Sequence, residues 1–204
     1  CGFLVMFMAP GFAMLECGLV TSKSVSSIAA KNIGLYSIAG IMFWLCGYNV
    51  AYGISEGGFI GNFSAWSDGT DFKKDSYAAG SDWWFQMVFA ATTASIVSGT
   101  LAERIKIWPF FLFVAILTGV LYPIEMGWQW GGGWLAAKGF SDFAGSTLVH
   151  AAGGAAALAG AIILGPRVGR FTNGKNLLPF AASSIPLATL GTFVLWFGWF
   201  GFNG

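Results

Sequence analysis

Polar residues along the chain come in sparse bunches, and the apolar runs between them are long. A helix that crosses a bilayer needs about 20 mostly apolar residues. Six segments reach that length, roughly 3–20, 33–54, 83–102, 107–127, 145–165 and 177–203. Runs of this kind differ from the alternating strands of about ten residues that build an outer-membrane barrel. The connections are short except for 55–82, where Gly57-Gly58, Gly61-Asn62, Asp68-Gly69 and a cluster of charges predict an extramembrane loop. The pattern therefore predicts an all-α fold, a polytopic helical membrane protein with the whole of 1–204 in one domain.

Composition strengthens that expectation. The chain is 56% hydrophobic and 9% charged, whereas soluble proteins carry about 25% charged residues. Ten Lys/Arg and nine Asp/Glu cannot clothe 204 residues in a polar shell. The same figures exclude disordered, collagen-like and disulfide-framed secreted chains. A net charge of +1 supplies no basic face for nucleic acid, so the partner that composition points to is the lipid bilayer. Cys1, Cys17 and Cys46 form an odd set, two of them inside apolar runs, where a thiol behaves as a small hydrophobe. His150, the one histidine, is remote in sequence from all three, so neither a zinc site nor any other cofactor is expected. Both ends of the chain lie inside apolar runs, which suggests a piece of a longer protein, or, for Cys1, a mature end left by signal cleavage.

The basic residues divide unevenly between the connections. Lys23, Lys31, Arg104, Lys106, Arg167, Arg170 and Lys175 fall on one side, with Glu103 as their acidic companion. Lys73, Lys74 and Lys138 fall on the other, among Glu56, Asp68, Asp71, Asp75, Asp82, Glu125 and Asp142. The excess of basic residues in cytoplasmic loops predicts that the first side is cytoplasmic and that the N-terminus lies outside. Trp66, Trp83, Trp84, Trp128, Trp130 and Trp134 then gather at the outer face, as an interfacial belt would.

Few residues could carry chemistry. His150 is expected well inside the fifth span, where an ionisable group is costly and faces the bundle interior or a cavity. The small residues Gly153, Gly154, Ala155, Ala156, Ala157, Ala159 and Gly160 that follow would let neighbouring helices come close. A core histidine bonded to a carbonyl and a pore-lining one fit equally well. Asp142 is placed to cap this helix by accepting backbone N–H groups, and a carboxylate there would also concentrate cations at the mouth. Phe85 and Phe89 share a helix face and could bind a cation through their rings, although packing is the commoner use of such spacing. Glu16 is expected to pair with a backbone or hydroxyl donor, and Glu103, which precedes Arg104, is expected in an interfacial ion pair or a cap. Nothing resembles a nucleophile with its base, a phosphate loop or a metal-ligand spacing, so an enzyme is not expected.

The stretch Asp142-Phe143-Ala144-Gly145-Ser146-Thr147-Leu148-Val149-His150 closely resembles the signature of the ammonium transporter family (Amt/Mep, related to the Rh proteins). So do Ala9 to Leu19, Phe85 to Phe89, Leu101-Ala102-Glu103-Arg104-Ile105, Trp130-Gly131-Gly132-Gly133 and Trp199-Phe200-Gly201-Phe202-Asn203, all in family order. The resemblance covers essentially all of the chain and implies a partial ammonium transporter domain. It implies the first half of an eleven-helix bundle of two inverted repeats, assembled as a homotrimer with a pore in each subunit, in the cell (plasma or inner) membrane. By position, Phe89 and Trp130 resemble the walls of an outer ammonium site, with Phe85 beside it and Asp142 bracing it. Phe89 and Phe202 would form the gate below, and His150 matches the first of two pore histidines. The second histidine, and a serine that completes the outer site, would belong to residues after Gly204. Trp130 points to the Amt branch rather than the Rh proteins.

The function implied is recruitment of ammonium at the aromatic site, loss of its proton, and passage of ammonia along the histidines while the proton takes a separate polar route. Methylammonium would be a poorer substrate and potassium would be refused. An ammonium sensor of the same fold, joined to a cytoplasmic signalling domain, is the alternative. A regulatory protein of the P-II kind is a partner suggested by the family alone.

Overall fold

The computed structural model describes residues 1–70, 76–172, 175–176 and 180–204. Asp71, Lys73, Lys74 and Asp75 of the outer-side charges lie outside the described residues, as do 177–179 of the expected sixth span. We label six helical elements: α1 (Gly2–Leu19), α2 (Ser22–Tyr52), α3 (Ala79–Leu101), α4 (Ile107–Ala137), α5 (His150–Leu164) and α6 (Ile185–Phe202). A two-residue β-pair, β1 (Phe171–Thr172) with β2 (Lys175–Asn176), lies in the α5–α6 connection.

Among the described residues, four helices are long and apolar enough to cross a membrane: α1, α2, α4 and α6. The other two expected spans depart from that simple form for different reasons. With 23 residues, α3 has ample length, but every residue from Met87 to Ser95 is buried in protein. A helix that does not face lipid can carry hydroxyls, and Thr92, Thr93 and Ser95 return theirs to the carbonyls of Val88, Phe89 and Ala91. In α5 regular helix begins at His150 instead of near 145. Asp142 holds the preceding backbone in a different turn, so His150 occupies the first turn and not the helix interior.

The start of α6 also differs from expectation. Helix begins at Ile185, where Ser184 Oγ accepts the Leu187 N–H at 3.2 Å and Pro186 supplies its preset φ. Ser183 and Ser184 donate their N–H groups to Val20 and Gly18 carbonyls at 2.8 and 3.1 Å, which pins this segment to the end of α1. From there α1 and α6 run in close contact. A Cβ on Gly191 would lie 2.7 Å from Gly11 O, and one on Gly198 would lie 2.9 Å from Leu4 O. The small residues permit a separation that any side chain would block.

α2 starts earlier than the apolar run, so that Lys31 lies within the helix and not in a loop. It is 4% exposed. Its ammonium is 3.1 Å from Glu16 Oε2 on α1 and donates to Ser98 O on α3 at 2.8 Å. Ser98 Oγ and Asn32 Nδ2 donate to the same carboxylate oxygen at 2.9 and 3.3 Å. One buried ion pair thus joins three helices, and Glu16 meets a charged partner rather than a neutral donor alone.

π turns interrupt α2 at Phe43–Gly47 and α4 at Leu117–Leu121, and the two turns pack together. Cys46 Sγ donates to Gly119 O at 3.2 Å, filling one of the carbonyl valences that a widened turn frees. At the opposite end, Glu103 adopts φ +61 between α3 and α4. It accepts from Thr21 N at 3.0 Å and from Thr21 Oγ1, and pairs with Arg167 at 3.1 Å. Its partner is therefore Arg167, not the adjacent Arg104, which instead donates to Gly165 O at 2.8 Å. The three cysteines are free thiols.

Candidate functional site

The site is assembled by α3, the turn at the end of α4, the segment before α5, and the last turn of α6. Its centre is Phe89, 2% exposed on the fully packed stretch of α3. Phe85, one turn earlier, meets it edge-on with ring centroids 4.8 Å apart. Trp130 meets it at 5.7 Å and 81°, and Phe202 from α6 lies closest, at 4.4 Å. Phe202 in turn touches His150 at 5.3 Å. The rings form a continuous series from Phe85 and Trp130 through Phe89 and Phe202 to the imidazole.

Asp142 holds this arrangement from behind. It is 7% exposed. Its Oδ1 accepts from Gly145 N and Ser146 N at 2.9 and 3.1 Å, and its Oδ2 from Thr147 N and Leu148 N at 2.7 and 2.9 Å. Four backbone N–H groups offset the loss of water around a buried carboxylate. The expected cap of the His150 helix is replaced by this turn: Asp142 bonds Gly145 to Leu148, ahead of α5, and Val149 at the helix N-cap makes no side-chain cap bond. Asp142 also contributes its carbonyl, which accepts Trp130 Nε1 at 2.7 Å and so orients the indole. The turn requires a glycine, because Gly145 has φ +84 and a Cβ there would sit 2.7 Å from Val149 Cγ2.

His150 is half-buried. Its Nδ1 lies 3.3 Å from Gly145 O. A carbonyl can only accept, so this contact places the proton on Nδ1 and leaves the Nε2 lone pair as an acceptor. Of the two expectations for His150, the bond to a carbonyl is present, on Nδ1. Its ring stacks on Trp199 at 5.5 Å with 6° between the planes. Trp199 was not singled out from the sequence as a site residue; its place three residues before Phe202, hence on the same helix face, was the available signal. Phe85, Phe89, Trp130, Asp142, His150 and Phe202 all come together. Above Phe85 a cavity of about 860 Å³ is lined by Tyr77, Ser81, Asp82, Trp84 and Gln86 as well as the chain ends.

The comparisons with known proteins bear on the family and the fold. The model of the Ammonium Transporter Family matches residues 1–204. The chain belongs to the ammonium transporter family. It is 40% identical to ammonium transporter Amt2 of Archaeoglobus fulgidus over 213 residues, covering 100% of this chain and 45% of that protein. It is 43% identical to a putative ammonium transporter of Synechocystis over 204 residues, covering 98% of this chain and 46% of the relative. Among solved structures it resembles a sensor Amt protein, with TM-score 0.85, 37% identity and coverage of 99% of this chain and 51% of that one. Mep2 of Candida albicans gives a TM-score of 0.81 at 30% identity, with 99% and 45% covered. The chain therefore spans about half the length of its relatives in the ammonium transporter family. That family is one of transporters, not enzymes, and its helical fold is the one found here.

Proposed function

We propose that the intact protein carries ammonium across the cell membrane, and that this chain supplies the outer recruitment site, the gate and the first pore histidine. The observation that carries the reading is the unbroken ring series from Trp130 and Phe89 through Phe202 to His150, at 4.4 to 5.7 Å per step. A cation entering between Trp130, Phe89 and Phe85 exchanges water for ring faces, each worth about 0.5–2 kcal/mol. It can go no further as a cation, because the apolar gate offers no compensation for the remaining hydration. Ammonium can escape this cost by giving up a proton, and potassium cannot. Ammonia then passes the Phe89–Phe202 pair and donates an N–H to His150 Nε2. The proton leaves by a polar route of its own, so transport is electrogenic. Methylammonium, with a bulkier head and one N–H donor fewer, moves less well.

In this reading Asp142 orients Trp130 and the turn beneath it without touching the ion. The N-terminus lies outside, the protein assembles as a homotrimer, and a P-II type protein regulates it from the cytoplasm. The test is the current evoked by an ammonium pulse in liposomes holding the full-length protein on a solid-supported membrane. Ammonium-specific current, absent with potassium and lost or made unselective by His150→Ala, is expected. Trimers that bind ammonium but pass no current would overturn transport in favour of a sensor.

A further inference from the structure

The hydrogen bond of the His150 ring is a weak tether. Gly145 O accepts from Val149 N at 2.9 Å and from His150 N at 3.3 Å, and His150 Nδ1 reaches the same atom at 3.3 Å. A carbonyl oxygen has two lone pairs, so three donors share two places. The Nδ1 contact is also longer than the usual range of about 2.7–3.2 Å for an N–H···O bond. It selects a tautomer, but it grips the ring too loosely to fix its orientation alone.

The face of the ring supplies the missing restraint. Trp199, in the last turn of α6, lies parallel to the imidazole, with centroids 5.5 Å apart and 6° between the planes. This is an offset stack, one of the favoured geometries for two ring systems. Phe202 meets the imidazole at 5.3 Å and 76°, and stands at 81° to Trp199 with centroids 6.5 Å apart. An imidazole turns about two bonds, Cα–Cβ and Cβ–Cγ. The indole face blocks the swing of its plane on one side, and Phe202 stands across that plane. With the plane fixed, Nδ1 stays against Gly145 O and the Nε2 lone pair keeps one direction. Without the indole, the ring would swing off a carbonyl that already has two other donors, and its proton could move to Nε2.

We propose that Trp199 is a positioning residue for His150, its indole holding the imidazole so that Nε2 is presented as an acceptor. The inference rests on His150 lining the ammonia pore, and it adds the residue that fixes how the ring is aimed. The test is made on the full-length protein in liposomes, with ammonium chloride as the probe of current and with isotope-labelled histidine nitrogens read by solid-state NMR. The His150 signals are those missing in His150→Ala, and in the unaltered protein they should show one tautomer, protonated on Nδ1. Trp199→Leu should mix the two tautomers. It should also lower the maximal ammonium current about fivefold, the population lost with one ring contact. The half-saturating concentration, set at the outer rings, should stay unchanged. Trp199→Phe, which keeps a ring on the face, should restore both tautomer and current, a rescue that a loss of packing volume alone would not track. Trp199→Met carries the test if Trp199→Leu does not assemble. A single Nδ1-protonated tautomer with full current in the variant that lacks the ring would overturn the inference and leave Trp199 as packing. Absence of current in the unaltered protein would overturn the transport reading instead, and the tautomer signal would then decide the role of Trp199 by itself.

Discussion

Asp142 shows how much can depend on one side chain. Its two oxygens satisfy the four backbone N–H groups of Gly145, Ser146, Thr147 and Leu148 in the turn that leads into α5. Asp142→Ala should strand them and cost about 3 kcal/mol or more, seen as a marked drop in thermal stability of the full-length protein in detergent. Trp130, released from the Asp142 carbonyl's turn, should lose its orientation at the same time, so ammonium current should fall further than stability alone explains. Phe89 is the converse case, a residue whose neighbours are rings and whose loss leaves no polar group unpaired. Phe89→Ala should leave the protein folded but weaken ammonium binding by the roughly 0.5–2 kcal/mol of one ring face. An unchanged half-saturation in the current assay would remove Phe89 from the recruitment site.

At the scale of elements, two contacts decide how the helices meet. The α1–α6 contact depends on missing side chains. Gly191→Val would drive a branched side chain toward Gly11 O and Met14 Cβ, which a Cβ alone would already approach to 2.7 and 2.9 Å. Overpacking of this kind costs about 1–3 kcal/mol, and the variant should also move Phe202, at the far end of α6, away from Phe89. The α1–α2–α3 junction depends instead on charge. Lys31→Met would leave Glu16 buried without its cation, a loss of about 3–5 kcal/mol. Adding Glu16→Leu to Lys31→Met should recover much of that stability, because a buried ion pair contributes little beyond what apolar residues of similar size would. A double variant as unstable as the single one would show that Ser98 and Asn32 need the carboxylate for more than charge.

Over the whole molecule, Glu103 ties three connections at one end. It bonds to Thr21 between α1 and α2 and to Arg167 between α5 and α6, from its own place between α3 and α4. Burial pushes its carboxyl up, but hydrogen bonds from Thr21 and Ser24 and the Arg167 charge outweigh this and hold it below the usual range. A carboxyl depressed in the folded state stabilises fully above its unfolded pKa of about 4.3, and that contribution is lost as pH falls through the lower, folded value. Thermal stability measured downward from neutral pH should therefore drop on the acid side. Glu103→Gln should start lower at neutral pH and show a flatter acid limb. Parallel curves would mean that another group governs the loss.

The sequence by itself determined the class of fold, because 56% hydrophobic residues gathered into runs of spanning length leave no alternative to a membrane bundle. It also determined which residues could make a site, since the order of Phe85, Phe89, Trp130, Asp142, His150 and Phe202 carries the family resemblance. Helix ends were less legible. Apolar runs mark where lipid can cover a helix, and Lys31, covered by protein instead, made α2 appear to start late. His150 appeared to lie in mid-helix because the pull of one carboxylate on four N–H groups is not a periodic signal. The tertiary structure alone decided which partners meet: Glu16 with Lys31, Glu103 with Arg167, His150 with Trp199. Those pairs lie on different elements, and the distance between elements is set by packing that small residues such as Gly11 and Gly191 permit. Hydropathy along a chain records what each residue prefers to be near, and only the folded bundle determines which neighbour it has.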